Sequence, residues 1–189
     1  MTANLKQLFL FLFIFCSFLA ISLELLANEK EDKINYEYKK IKFLIIDSET
    51  SIYKINHPDE YVLELAHAFK NASIKYNIDV NLLIAIGYRE SIFKMSEKGD
   101  NNKSLGIMQV GKQGRKACKC DMSSVDGQID CGACWLDKGR SWCGDIRGGV
   151  SAYACGKCEP VNSLSKQAIN IKFRLVEMLE NFMKELSNE

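Results

Sequence analysis

Glu90 closes the most apolar stretch downstream of the N-terminus, Asp79-Val80-Asn81-Leu82-Leu83-Ile84-Ala85-Ile86-Gly87-Tyr88-Arg89-Glu90-Ser91-Ile92-Phe93. From Val80 to Tyr88 only Asn81 interrupts the apolar run, and a helix that is apolar all round belongs inside a core. Asp79 suits its N-cap. Glu90 then meets the negative end of the helix dipole beside Ile86, Ile92 and Phe93, and both effects disfavour a carboxylate. A carboxyl that keeps its proton near neutral pH is what a general acid requires. The plainer reading is that Glu90 marks where a buried helix reaches water. His57 and His67 are the only histidines and both lie upstream, which argues against a Ser-His or Cys-His hydrolase.

The second concentration of reactive groups is Cys118, Cys120, Cys131, Cys134, Cys143, Cys155 and Cys158; the eighth cysteine, Cys16, stands alone. In an oxidising compartment this cluster means disulfides. The spacings Cys131-x-x-Cys134 and Cys155-x-x-Cys158 would also suit zinc in a cytosolic chain. The N-terminus favours disulfides. Leu8 to Leu23 is an apolar run broken only by Ser17 and Ser22, with Lys6 before it and Leu25-Leu26-Ala27 after it. Residues 1–27 therefore read as a secretory signal peptide, with an uncleaved membrane anchor as the alternative. Seven is odd, so one thiol is free or pairs between chains, and connectivity is not legible from spacing.

The elements that must position these groups follow from periodicity. The 189 residues, 47% hydrophobic, suit one domain plus accessory segments. Removing residues 1–27 deletes Lys6 and Glu24 and leaves the net charge at +1, a balance that argues against a nucleic-acid partner. Residues 28–57 read as a linker or extension, in which 36–46 is either helix or strand. Residues 58–189 form the domain. Asp59 is the expected cap of a helix running to Tyr76, with Val62, Leu65, Ala66, Phe69 and Tyr76 on its apolar stripe and His67 in solvent. After the core helix comes a polar loop, then Leu105 to Val110 as a short extended segment. Gly111 to Asp130 reads as loop, Gln128 to Leu136 as a helix, and Ser165 to Leu186 as an amphipathic helix.

Four pieces then recur in a fixed order: Glu90-Ser91, Gly106-Ile107-Met108-Gln109, Ile129-x-x-Gly132-x-x-Trp135-Leu136, and Ala152-Tyr153 followed by Gly156. Over residues 60–160 this resembles the catalytic domain of the soluble lytic transglycosylases, within the lysozyme-like superfamily. The resemblance implies a mainly α, lysozyme-like (α+β) fold: a helical domain with a short extended segment and disulfide-stapled loops. It also implies cleavage of peptidoglycan glycan strands between N-acetylmuramic acid and N-acetylglucosamine, with neither cofactor nor metal. Glu90 would be the single acid/base, and Ser91 would hold the end of its helix. Gly106, Met108 and Gln109 would meet the sugar, and Tyr153 would reach Glu90 or the substrate acetamido group.

This chain departs from the family pattern in three places. Ala154 replaces an Asn after the tyrosine, Gln128 replaces an Asn before Ile129, and no Pro follows Met108-Gln109. The nearest rival is a hydrolase resembling the goose-type lysozymes, in which Asp100 would position water. Against it, Gly111 stands where a second acid is expected, and Gly-Asp-Asn-Asn is ordinary turn chemistry. A non-catalytic peptidoglycan-binding module and a cysteine-rich metal-binding protein are the rivals from other classes.

Overall fold

The computed structural model describes residue 22, residues 34–45 and residues 57–188. The chain divides into two compact units, 1–35 and 36–189. The leader assigned to residues 1–27 lies outside the described residues except for Ser22.

The undecided segment before the domain is helical over residues 34–45 (α1). Within the second unit α1 buries Ile41 and Leu44 completely and pairs its buried Glu37 with Lys70 of the next helix at 3.3 Å. Helix α2 (Asp59–Tyr76) starts on Asp59 itself, with Pro58 in the N-cap position and no side-chain cap. Val62, Leu65, Ala66 and Phe69 are buried as the stripe predicts, whereas Tyr76 is half-buried and donates to Asp130.

Helix α3 (Val80–Ser91) is the core helix. The Asp79 side chain accepts from Asn81 N at 2.8 Å, which satisfies one orphan N–H. Leu82 to Gly87 are all buried. The helix stops on Ile92 and Phe93, both left-handed at φ 51° and 60°. That region is costly for residues with side chains of this bulk. Three contacts hold the reversal. Tyr61 donates to Phe93 O at 2.6 Å, His57 Nε2 lies 2.9 Å from Ile92 O, and the fully buried Phe93 ring meets Phe69 edge-on.

A three-stranded antiparallel sheet follows: β1 (Lys98–Gly99), β2 (Ser104–Leu105) and β3 (Val110–Gly111), in that order. The extended segment expected from Leu105 to Val110 is strand only at its ends. Between them Gly106 (φ 78°) and Gln109 (φ 48°) reverse the chain into a tight buried turn.

The stretch expected to be loop after Gly111 is partly helical, as α4 (Lys112–Cys118), and α5 (Val125–Cys143) begins before Gln128. At seven residues α4 is too short to be stable alone. Cys118–Cys134 and Cys120–Cys131 tie it and the residues after it to α5, and Cys143–Cys158 ties the end of α5 to the loop after α6 (Ile146–Cys155). Cys155 is the thiol left over. Cys131 and Cys134 thus bond different partners, an arrangement that takes both out of a zinc ligand set. Helix α7 (Ser163–Leu186) opens with a reciprocal Asn162–Ser165 capping box. Its buried residues are Ile169, Lys172 and Leu179, while Leu164 in its first turn is 73% exposed. No helix among the described residues is long and apolar enough to cross a membrane.

The disulfides close loops of 16, 11 and 15 residues; each is worth about 3 kcal/mol on the chain-entropy estimate. Alkylation of the oxidised, unfolded protein should label Cys155 and none of the six bridged cysteines, as read by peptide mass spectrometry. Reduction should lower the thermal midpoint, while Cys155→Ser should leave it within a degree or so.

Candidate active site

The buried turn Gly106-Ile107-Met108-Gln109 sets the geometry, because irregular backbone inside a core must find a partner for every polar group. Three of the motifs recognised in the sequence, and the residue just before the remaining one, supply partners. Ser91, buried at the end of α3, donates its hydroxyl to Ile107 O at 2.7 Å and also approaches Gly87 O. On α5, Gln128 accepts from Ile107 N at 2.8 Å, and its amide N–H2 serves Met122 O at 3.0 Å. From α6, the Tyr153 hydroxyl donates to Met108 O. Gln109 folds back on its own turn, giving its amide to Gly106 O at 2.8 Å and Glu97 O at 3.0 Å.

Two glycines make the packing possible. A Cβ at Gly106 would lie 2.3 Å from the Gln128 amide oxygen, and one at Gly132 would lie 2.5 Å from the Met108 side chain. The close approach expected between Gly106 and a sugar is therefore, in the free protein, an approach to Gln128. Met108, expected to face a sugar, is fully buried against Gly132. The Ser91 hydroxyl and the Gln109 amide N–H2 are spent on backbone.

Glu90 is the group that reaches out. Its side chain is 24% exposed at the end of a helix otherwise sunk in the core. The sequence reading gives it apolar neighbours and Tyr153; the structure adds a cation. Lys172 of α7 places Nζ 2.8 Å from Oε1 of Glu90, with a side chain only 6% exposed. Tyr153 lies within the field of the same carboxylate. Burial, and secondarily the charge of Glu90, raise the Tyr153 phenol well above its ordinary ionisation range. The hydroxyl therefore stays protonated, as a donor. Tyr153 also lines a hollow of about 340 Å³ with Gln113, Trp135, Lys138 and Trp142.

Asp100 sits apart from this constellation in its hydrogen bonding. It is exposed, left-handed at φ 50°, and accepts from Ser104 across the β1–β2 turn at 2.8 Å. Ala154, which replaces the family asparagine, points to solvent. Among the described residues no group of His, Cys, Asp and Glu is arranged to hold a metal.

A family model described as the transglycosylase SLT domain matches residues 67–172, more than half of the chain. The chain belongs to the SLT family. The match runs from α2 through all four motifs and ends on Lys172. A comparison with curated proteins returns no match. An SLT domain is of lytic-transglycosylase type and acts on peptidoglycan, and three disulfides in such a domain point to an extracytoplasmic protein.

Sequence reasoning missed Lys172 and undervalued Gln128. The signal for Lys172 was present: Ile169, Lys172 and Leu179 share one face of α7, so the lysine interrupts an apolar stripe. Gln128 reads as a mere departure from the family, but it is the buried amide that holds the turn.

Ser91→Ala and Gln128→Leu each leave a buried backbone group of Ile107 unpaired. Each should lose about 1–3 kcal/mol of stability in urea denaturation. Tyr61, pushed up to about 12 by burial and by Glu64, and Tyr153 should both stay silent in a native-state phenolate titration at pH 10. Because the unfolded chain releases those protons first, stability should decline as pH rises past 10.

Proposed function

We propose that the domain cleaves the MurNAc–GlcNAc β-1,4 bond of peptidoglycan glycan strands as a lytic transglycosylase, with Glu90 as the sole acid/base. One observation carries the reading: Glu90 is the partly exposed carboxyl at the end of α3, its charge reaches the Tyr153 phenol, and the Ser91 that follows it ties that helix end to the buried turn. In the first step Glu90 gives its proton to the glycosidic oxygen, the bond to C1 of muramic acid breaks, and the substrate acetamido group stabilises the cationic sugar. In the second, the Glu90 carboxylate takes the proton of the C6 hydroxyl, whose oxygen closes on C1. A 1,6-anhydro end results, Glu90 regains its proton, and no water is consumed.

Tyr153, held protonated, spends its one O–H on Met108 O and so fixes the turn beneath the reacting centre. Trp142, 66% exposed at the edge of the hollow next to Tyr153, offers a flat face of the kind that suits a pyranose ring. Delivery to the wall follows from export directed by residues 1–27, which also explains why the cysteines pair. The hydrolytic alternative gains no support from Asp100, whose carboxylate is committed to its own turn.

Digestion of purified peptidoglycan with the oxidised protein, followed by mass spectrometry, tests this. Products should be about 18 mass units lighter than their hydrolytic counterparts and should vanish with Glu90→Gln. Reducing-end products would instead make the domain a muramidase. Binding without product from either protein would make it a non-catalytic module.

A further inference from the structure

Lys172 is a buried ammonium on a helix whose other buried positions are Ile169 and Leu179. A charge so placed is costly unless it is paired, and a pair broken on one side is worse than no pair at all. Its partner is the Glu90 carboxylate, at 2.8 Å, so protonation of Glu90 ahead of the first step loosens the pair and loss of that proton restores it. A charge pair kept only for stability has no need to use the acid/base of the domain. We propose that Lys172 is a positioning residue for the reaction: it holds Oε1 of Glu90 and stabilises the negative charge that appears on Glu90 when the proton leaves.

The argument rests on Glu90 being the acid/base. In the first step the O–H bond of Glu90 breaks, its proton goes to the glycosidic oxygen, and the electron pair remains on the carboxylate. Negative charge therefore develops on Glu90 along the reaction path, and a fixed cation beside it is bound more strongly in the transition state than before it. Such differential stabilisation raises kcat, whereas uniform binding would act on KM. Preorganisation is evident in its burial: the ammonium approaches from α7, packed on both α3 and α6, and needs no rearrangement when the charge appears. The other groups near Glu90 do not duplicate it. Tyr153 is a neutral donor already engaged with Met108 O, and the neighbouring Arg89 is exposed.

Rates of 1,6-anhydro product formation on peptidoglycan, measured with the full oxidised chain and Lys172→Met, Lys172→Gln and Lys172→Arg, test the inference. The Met and Gln variants should lose roughly 10- to 100-fold in kcat with KM within about twofold. Arg, which keeps the cation, should restore most of that loss. Circular dichroism and thermal melting identify which variants are folded at the assay temperature; Gln serves if Met does not fold. A folded Met or Gln variant with kcat equal to or above wild type overturns the proposal and makes the pair a structural or restraining contact. So does a loss confined to KM. Absence of both anhydro and reducing-end products from the wild-type protein instead overturns the acid/base reading and removes this inference with it.

Discussion

The constraint on which the structure depends is the burial of an irregular turn. Gly106 to Gln109 runs through the interior without a regular ladder, so its amides and carbonyls must be met one by one. Ser91, Gln128 and Tyr153 do so from three different helices, and Gln109 does so from within. An unpaired buried backbone group costs about 1–3 kcal/mol, so no one of the three helices can shift without cost to the turn. This gives a physical reason for four short motifs, far apart in sequence, to occur together: they are the two sides of one set of hydrogen bonds. Glu90 inherits its position from that set, since it directly precedes Ser91.

The charge pair at the surface of this arrangement answers a different requirement. The turn is held by neutral groups that keep their protonation state, and the Tyr153 phenol is secured by burial. Glu90 and Lys172 are the ionic element at its edge. Neutral hydrogen bonds fix position with little sensitivity to the stage of a reaction, whereas an ion pair changes strength as soon as one partner gains or loses charge. The separation of these two kinds of interaction lets the frame remain unchanged while Glu90 passes through both of its forms.

Much of this was legible in the sequence because it rests on local signals. The all-round apolar run foretold a buried α3, Asp79 its cap, and Val62, Leu65, Ala66 and Phe69 the inner face of α2. The odd cysteine count left one thiol over, as Cys155. What was not legible depends on partners distant in the chain. Helix α4 has no apolar periodicity and owes its place to disulfides. The Leu105–Val110 segment looks extended because its apolar residues suit a strand, yet two left-handed residues fold it back. Met108 and Gln109 have the chemistry of sugar contacts, but only the tertiary structure shows that one packs on Gly132 and the other closes its own turn. Lys172 belongs to a helix whose facing surface cannot be named before the fold is known.

Helix termini are normally the first parts of a helix to open, since their last carbonyls lack partners. The end of α3 is built the other way. Ile92 and Phe93 are forced into left-handed backbone at a cost of order 1–3 kcal/mol each, and their carbonyls are then pinned by His57 and Tyr61 from the segment leading into α2 and from α2 itself. Unwinding the last turn would have to break those ties and withdraw Phe93 from the core. The terminal turn carrying Glu90 is therefore coupled to opening of the whole α2–α3 core rather than free to fray. Its carboxyl sits on a dead stop, where small local fluctuations cannot carry it away.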